Sequence, residues 1–173
     1  MIDYRILSAD QYTEKIGELV SMLEYTRNVT LREISELTQV ELDYLPDKGS
    51  NSIASLLLHI ASIEFVHQIS SSEKRDLTER EYGKWKTPLA LGERARADIK
   101  NHSVDYYLTE MQRVRTTTLQ LLASRRDSWL FEENKWNNGV SYNNYYLWFH
   151  VIEDEISHRG QIRTILRHLK DNK

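Results

Sequence analysis

Three polar residues near the C-terminus recur at a spacing of four: His150, Asp154 and His158. In an α-helix, residues four apart lie on the same face. That face also carries apolar residues and one amide: Leu147, Val151, Gln161, Ile165 and Leu169. The other face carries Glu153, Ser157, Arg159 and Arg163. The pattern predicts two histidines and a carboxylate on the buried side of a helix, where ionisable groups need a partner or a metal ion.

A divalent metal site is one way to satisfy this trio. Asp154 and His158 can reach one ion, because a helix rises only about 6 Å over four residues. His150 and His158 lie about 12 Å apart along the axis, too far for both to bind one ion without distortion, so one member of the trio is a neighbour and not a ligand. The third ligand must come from another helix, and His59 is the best candidate. Two histidines and a carboxylate leave coordination positions open, as catalytic sites do.

Other interpretations of the same residues stay open. Asp154 and the histidines also fit a metal-free hydrogen-bond network that fixes the helix register. Gln161 either orients a ligand or fills a gap in the core. Glu64 and His67 continue the buried stripe of the second long helix. They are either neighbours of the metal ligands, with Glu64 a possible fourth ligand, or a partly exposed pair near the end of the bundle.

Four long helices are expected to position these residues. The first begins near Ser8 and carries an apolar stripe from Ile16 to Leu37. Thr38 and Glu41 form a capping box for a short helical turn. The second long helix starts after Asn51 or Ser52, which are both good N-caps. Residues 70–100 contain Gly83, Pro88 and Gly92, which predicts a long connection with one or two helical turns that could cover a site.

The C-terminal half supplies the other two long helices. The third carries Tyr107 to Leu122 at helical spacing, a loop follows from Arg125 to Gly139, and the fourth begins near Ser141. No segment alternates long enough to predict a strand. The sequence therefore predicts an all-α protein, a single domain over residues 1–173, built as a four-helix bundle with a long crossover between helices 2 and 3. Gly160 inside the fourth helix predicts close approach of another backbone.

Composition excludes several classes of protein. The 173 residues contain no cysteine, which rules out disulfides and thiolate zinc sites and fits a reducing compartment. A net charge of -3 with mixed local charges argues against nucleic-acid binding. The N-terminus has no apolar signal region, and no stretch approaches about 18 consecutive apolar residues, so no membrane partner is expected. The cytoplasm is the expected location.

Two segments resemble the DinB-like superfamily of bacterial metal-binding four-helix bundles. One runs from His150 to Gln161 and ends in His158-Arg159-Gly160-Gln161, and the other runs from Ser52 to His59. The resemblance implies that His59, position 154 and His158 bind a divalent metal, which could be Zn, Ni, Fe or Mn. The chain departs from the common pattern at position 154, where aspartate replaces histidine. His150, Gln161 and Glu64 are expected around these ligands.

The resemblance also implies a function. Relatives are bacterial, cytoplasmic and often dimeric, and some are thiol-dependent transferases or isomerases that use bacillithiol, mycothiol or glutathione. The expected activity is transfer of such a low-molecular-weight thiol to a small-molecule electrophile, or a related metal-dependent hydrolysis. Two alternatives remain: a non-enzymatic stress-related or interaction module whose buried His/Asp set is structural, and a ferrous oxygenase, which uses the same ligand set.

Overall fold

The computed structural model describes residues 3–171. Within that range the chain forms eight helices and two short strands. In order these are α1 (Glu14–Ile34), α2 (Gln39–Asp43), α3 (Ile53–Ser72), α4 (Glu79–Ala90), α5 (Gly92–Asp98), α6 (Val104–Ala123), α7 (Asp127–Leu130), β1 (Glu133–Lys135), β2 (Ser141–Asn143) and α8 (Asn144–Asp171). The predicted all-α class is confirmed. The two strands form one antiparallel hairpin, although no strand was predicted. Strand β1 lies in the segment that was expected to be a loop, and β2 lies where the fourth long helix was expected to begin.

Each of the four long helices packs against two of the others. Helix α3 lies against both α6 and α8, and α1 lies against α8 and α6. Because α3 is covered on several sides, its residues are apolar nearly all round. Among the described residues it is the one helix long and apolar enough to cross a membrane, but 78 % of its most apolar window is buried inside the protein. That burial is typical of a core helix.

The helix starts follow local capping chemistry. Ser52 is the N-cap of α3, as predicted, and its side chain accepts a hydrogen bond from the Ser55 backbone. Thr38 and Glu41 form the predicted capping box of α2. Helix α1 does not begin near Ser8 but at Glu14, after the N-cap Thr13. Ser8 instead packs against Gly17, where an added Cβ would collide with its side chain.

The crossover between α3 and α6 is more regular than predicted. It contains two helices, α4 and α5, of which α4 is 12 residues long. Thr78 and Glu81 form a capping box that starts α4, a signal that the sequence interpretation missed. Leu91 joins the two helices with a φ of 51°, a left-handed conformation that is uncommon outside glycine. The next backbone N–H, that of Gly92, donates to Asn51 Oδ1 at 3.0 Å.

A buried ionic layer divides the apolar core. One apolar cluster includes Ile34, Met111 and Ile162, and the other includes Leu23, Leu122 and Val151. Between them, charged side chains from four helices meet: Arg27 of α1, Glu64 of α3, Arg115 of α6 and Glu155 of α8. Each of the four is at most 4 % exposed. Two positive and two negative charges satisfy each other there, so the layer connects all four long helices.

Candidate metal centre

His59, Asp154 and His158 meet where α3 packs against α8. One ligand atom from each residue lies within 4.8 Å of the other two. Asp154 Oδ1 is 3.6 Å from His59 Nε2 and 3.4 Å from His158 Nε2. The side chains are only 10–12 % exposed, so the three groups are shielded from most solvent. The structure therefore brings together the three residues that the sequence interpretation named as ligands.

The crossover fixes the orientation of the His59 ring. His59 Nδ1 lies 2.9 Å from the carbonyl oxygen of Pro88 in α4. A carbonyl only accepts hydrogen bonds, so Nδ1 carries a proton and donates to Pro88, and Nε2 is the ring nitrogen that faces Asp154. A histidine that binds a metal through one nitrogen commonly donates from the other to a backbone carbonyl. Pro88 is thus a direct neighbour of the trio, although the sequence interpretation had placed it only in the connection between helices 2 and 3.

The two groups on α8 set each other's charge. Burial alone would raise the pKa of Asp154, but the His158 and His59 side chains outweigh it and hold the pKa of the carboxyl well below its ordinary value. Burial alone would lower the pKa of His158, but Asp154 outweighs it and raises the pKa of His158. Asp154 is therefore an ionised carboxylate at neutral pH, as a metal ligand must be.

Gln161 lies on the solvent side of His158. Its side chain is exposed, contrary to the predicted buried position, and its polar contact also helps to raise the pKa of His158. Gln161 lines a cavity of about 350 Å³ between α8 and the loop that precedes α3. One turn of α8 therefore links the trio to a solvent-accessible cavity.

His150 lies on the opposite side of the trio and is not part of it. Its side chain is 37 % exposed, and Nδ1 donates to Glu153 Oε2 at 3.2 Å. Its ring contacts that of His67 with centroids 5.4 Å apart. Burial lowers the pKa of His67 to about 4, so His67 is neutral at physiological pH. His67 Nδ1 donates to the Ile63 carbonyl, which leaves its Nε2 as an acceptor.

Glu64 was expected beside the metal ligands, and the structure places its carboxylate in the ionic layer. It accepts hydrogen bonds from Arg27 and Arg115, which belong to that layer, and from the Thr118 hydroxyl. It is fully buried, so the alternative of a partly exposed pair with His67 is wrong. The physical reason is charge balance, because Arg27 and Arg115 are buried beside Glu64 and need a buried negative charge.

The predicted inner face of α8 is rotated in the structure. Arg159 was placed outside, but it is only 7 % exposed and donates from Nη1 to the Thr26 carbonyl at 2.9 Å. Glu155 is also buried, in the ionic layer. These two residues lie at the centre of the packed face, and Asp154 and His158 lie at its edge. Gly160 contacts no other backbone, contrary to the prediction, and its surroundings are open.

The donor set fits a divalent cation. Ligands at about 2.1 Å from a tetrahedral zinc ion lie about 3.4 Å from one another, close to the two separations from Asp154 Oδ1. Within residues 3–171, Asp154 Oδ2 is buried with no hydrogen-bond partner. An ionised carboxylate with an unpartnered oxygen is costly unless a cation compensates it. Nitrogen and oxygen donors of this kind suit Zn, Ni, Fe and Mn alike.

Comparison with known families agrees with this geometry. The family model described as Mycothiol-S-transferase matches residues 18–172. The chain belongs to the mycothiol-S-transferase family. This is a DinB-like family, so the predicted resemblance is confirmed. The match spans both His59 and the α8 pair, and hence the whole trio. Among curated proteins, no significant match to the chain is found.

Proposed function

We propose that this member of the mycothiol-S-transferase family is a metal-dependent enzyme that transfers a low-molecular-weight thiol to an electrophilic small molecule. The observation that supports it most directly is the convergence of His59, Asp154 and His158 in a chain that matches a thiol-transferase family. In this proposal the three residues hold a divalent cation and leave positions open for the thiol. When bound, such a cation supplies a positive charge that lowers the pKa of a coordinated thiol toward neutral.

The chain's own residues prepare the site. Pro88 keeps the His59 ring in the tautomer that directs Nε2 inward. His158 and His59 keep Asp154 ionised. Its carboxylate cancels one of the two charges of the cation, which makes the centre less electropositive than three neutral imidazoles would. The Gln161 side chain, on the solvent side, helps to raise the pKa of His158. Burial of the trio excludes most water, which strengthens each of these interactions.

Metal analysis tests the proposed ligand set. The protein is purified, stripped with a chelator, reloaded separately with Zn, Ni, Fe and Mn, and analysed for bound metal. We expect about one metal ion per chain in the wild type and a loss of at least tenfold in affinity for His59→Ala and for His158→Ala. His102→Ala is the matched control, since His102 is exposed and stacks on Tyr106. Unchanged affinity in both ligand variants would show that the ligand set is wrong.

A thiol-transfer assay tests the activity. Metal-loaded protein is incubated with mycothiol, bacillithiol or glutathione and a model electrophile such as a halogenated arene or an enone, and the conjugate is measured by mass spectrometry. We expect turnover with at least one thiol, and at least a hundredfold lower turnover for His158→Ala at equal protein. Background rates with all three thiols would refute the transferase proposal while leaving the metal site intact.

The proposal includes an architecture and an assembly. We propose that α1, α3, α6 and α8 form a four-helix bundle of the DinB type in the cytoplasm. We also propose a homodimer through the outer face of α8, where Phe149 and Ile156 are 52 % and 47 % exposed and Gly160 is open. Large exposed apolar side chains on one helix face are typical of protein contacts. Light scattering should give twice the mass of the chain, and Phe149→Glu should give the mass of one chain.

A further inference from the structure

We propose that His67 of α3 and His150 of α8 form a second metal site, which binds one divalent transition-metal ion of the kind that prefers imidazole ligands. Water completes the coordination of that ion. The site lies along the same contact between α3 and α8 as the trio, and His59 and His67 are about 12 Å apart along the axis of α3. Metal ions that act as a pair lie only about 4 Å apart, so this site is independent of the trio and of thiol transfer.

Each of the two rings uses one nitrogen in the way that metal-binding histidines do. His67 Nδ1 donates to the Ile63 carbonyl at 2.7 Å, and His150 Nδ1 donates to Glu153 Oε2 at 3.2 Å. Backbone carbonyls and carboxylates only accept hydrogen bonds, so Nδ1 carries a proton in both rings. These are also the usual partners of the second nitrogen of a metal-binding histidine. In both residues Nε2 is therefore the nitrogen that remains for a metal ion.

The separation of the two rings fits one bridging ion. Their centroids are 5.4 Å apart, and their planes are tilted by 47°. Two imidazoles that bind one ion at about 2.1 Å have centroids about 5–6.5 Å apart, for bond angles between tetrahedral and linear. Tyr146 lies one turn before His150, and its ring is nearly parallel to that of His150, with planes 9° apart and centroids 6.2 Å apart. The pair is therefore spaced for an ion that joins α3 to α8.

Burial and nearby charge favour a cation between the rings. His67 is only 8 % exposed, and burial lowers its pKa to about 4, so its ring is neutral at physiological pH and Nε2 has a lone pair. The carboxylates of Asp154 and Glu64 both favour positive charge at His67, although burial outweighs them. His150 is 37 % exposed, which gives an ion access from solvent. A metal ion supplies the positive charge without the need to protonate a buried ring.

The ligands define the class of ion. Imidazole nitrogens suit Cu²⁺, Zn²⁺ and Ni²⁺, whereas Mg²⁺ and Ca²⁺ prefer oxygen ligands. Affinity for a given set of nitrogen ligands rises along the first-row divalent ions to a maximum at Cu²⁺. We therefore expect Cu²⁺ to bind most tightly to His67 and His150, and Mg²⁺ not to compete with it.

Copper titration tests the site in a chain that lacks the two histidines of the trio. The variant His59→Ala/His158→Ala is stripped with a chelator and titrated with Cu²⁺, and binding is followed by calorimetry and electron paramagnetic resonance. We expect a bound Cu²⁺ whose signal is split by two imidazole nitrogens. Adding His150→Ala should weaken binding at least tenfold and remove the splitting from one nitrogen. Adding His102→Ala is the matched control and should change the affinity less than twofold, since His102 is also exposed but stacks on Tyr106.

Two further measurements keep the test decisive. If the double variant misfolds, His150→Ala alone should bind one Cu²⁺ fewer per chain than the wild type. Glu153→Ala should weaken the site by about tenfold with both ligands in place, because it removes the carboxylate that holds the His150 ring. The same copper content and affinity with and without His150 overturns the inference, as does a two-nitrogen signal that survives His67→Gln. Copper loss in the His150 variants supports the inference whether or not the trio binds metal and whether or not a thiol is transferred.

Discussion

The buried carboxylate of Glu64 provides a quantitative test of the ionic layer. Its Oε1 accepts from Arg115 Nε at 2.7 Å and from the Thr118 hydroxyl at 2.6 Å, and its Oε2 accepts from Arg27 Nη2 at 2.8 Å. The substitution Glu64→Gln keeps the shape of the side chain but removes its charge. It also replaces one acceptor oxygen by a donor that faces an arginine, so two buried guanidinium groups lose their main partner.

The expected cost follows from two independent arguments. Burial by itself would raise the pKa of Glu64, but Arg115 and Arg27 outweigh it and lower the pKa from 4.5 to about 2. Because one pKa unit corresponds to about 1.4 kcal/mol, that difference is worth about 3 kcal/mol. Removing one partner of a buried ion pair costs about 3–5 kcal/mol. We therefore expect Glu64→Gln to lower the free energy of unfolding by about 3 kcal/mol at pH 7.

Urea unfolding followed by circular dichroism measures this difference. The carboxylate stabilises the folded state fully above pH 4.5 and loses that effect as the pH falls toward 2, so the gap between wild type and variant should close over this range. Glu110→Gln is the control, since Glu110 pairs with Arg113 and Lys84 at the surface and should cost less than about 1 kcal/mol. A Glu64→Gln variant within 1 kcal/mol of the wild type would refute the stabilising role of the layer.

Three other substitutions test separate features of the fold, each by equilibrium unfolding. Burial lowers the pKa of His67 from 6.5 to about 4, so the free energy of unfolding of the wild type should fall as the pH drops from 6.5 to 4. His67→Gln should lack this loss, and the same pH dependence in wild type and variant would contradict the prediction. Lys74 follows α3 with a φ of 53°, so Lys74→Gly should raise stability by about 1 kcal/mol, and a decrease would contradict the left-handed geometry. Gly83 in α4 is exposed with open space around it, so Gly83→Ala should raise the free energy of unfolding by about 0.5–1 kcal/mol, and a decrease would contradict the exposed helical position.

Spacing and apolar context identified the candidates for the trio, and the resemblance to the DinB-like superfamily selected His59, Asp154 and His158 among them. His59 lies within an almost wholly apolar helix, and Asp154 and His158 are one turn apart. Helical periodicity alone could not identify the residues that contact the trio. Pro88 contributes a backbone carbonyl, which any residue type possesses, and its approach to His59 depends on how the crossover folds back over α3. The Thr78 capping box was a visible signal for that crossover.

The ionic layer was missed for a different reason. A charged residue on a helix normally faces solvent, so Glu155 and Arg159 did not stand out from exposed neighbours such as Glu153. One signal was available, since Glu64 falls in the apolar stripe of α3 and a buried acid requires a buried base. Which arginines would meet it depends on the packing of α1 and α6 against α3, and helical periodicity does not specify packing partners.

The crossover between α3 and α6 both covers the trio and contacts one of its histidines. Helix α4 ends at Ala90, so the carbonyl of Pro88 belongs to the last turn, where carbonyls lack the usual partner four residues on. Leu91 N–H reaches it at 3.3 Å, and the His59 imidazole donates to it at 2.9 Å. The negative end of the α4 dipole therefore lies against the Nδ1–H of His59, which makes Nε2 a stronger electron donor. In the proposed metal centre, the last turn of α4 would therefore influence how strongly His59 binds the cation.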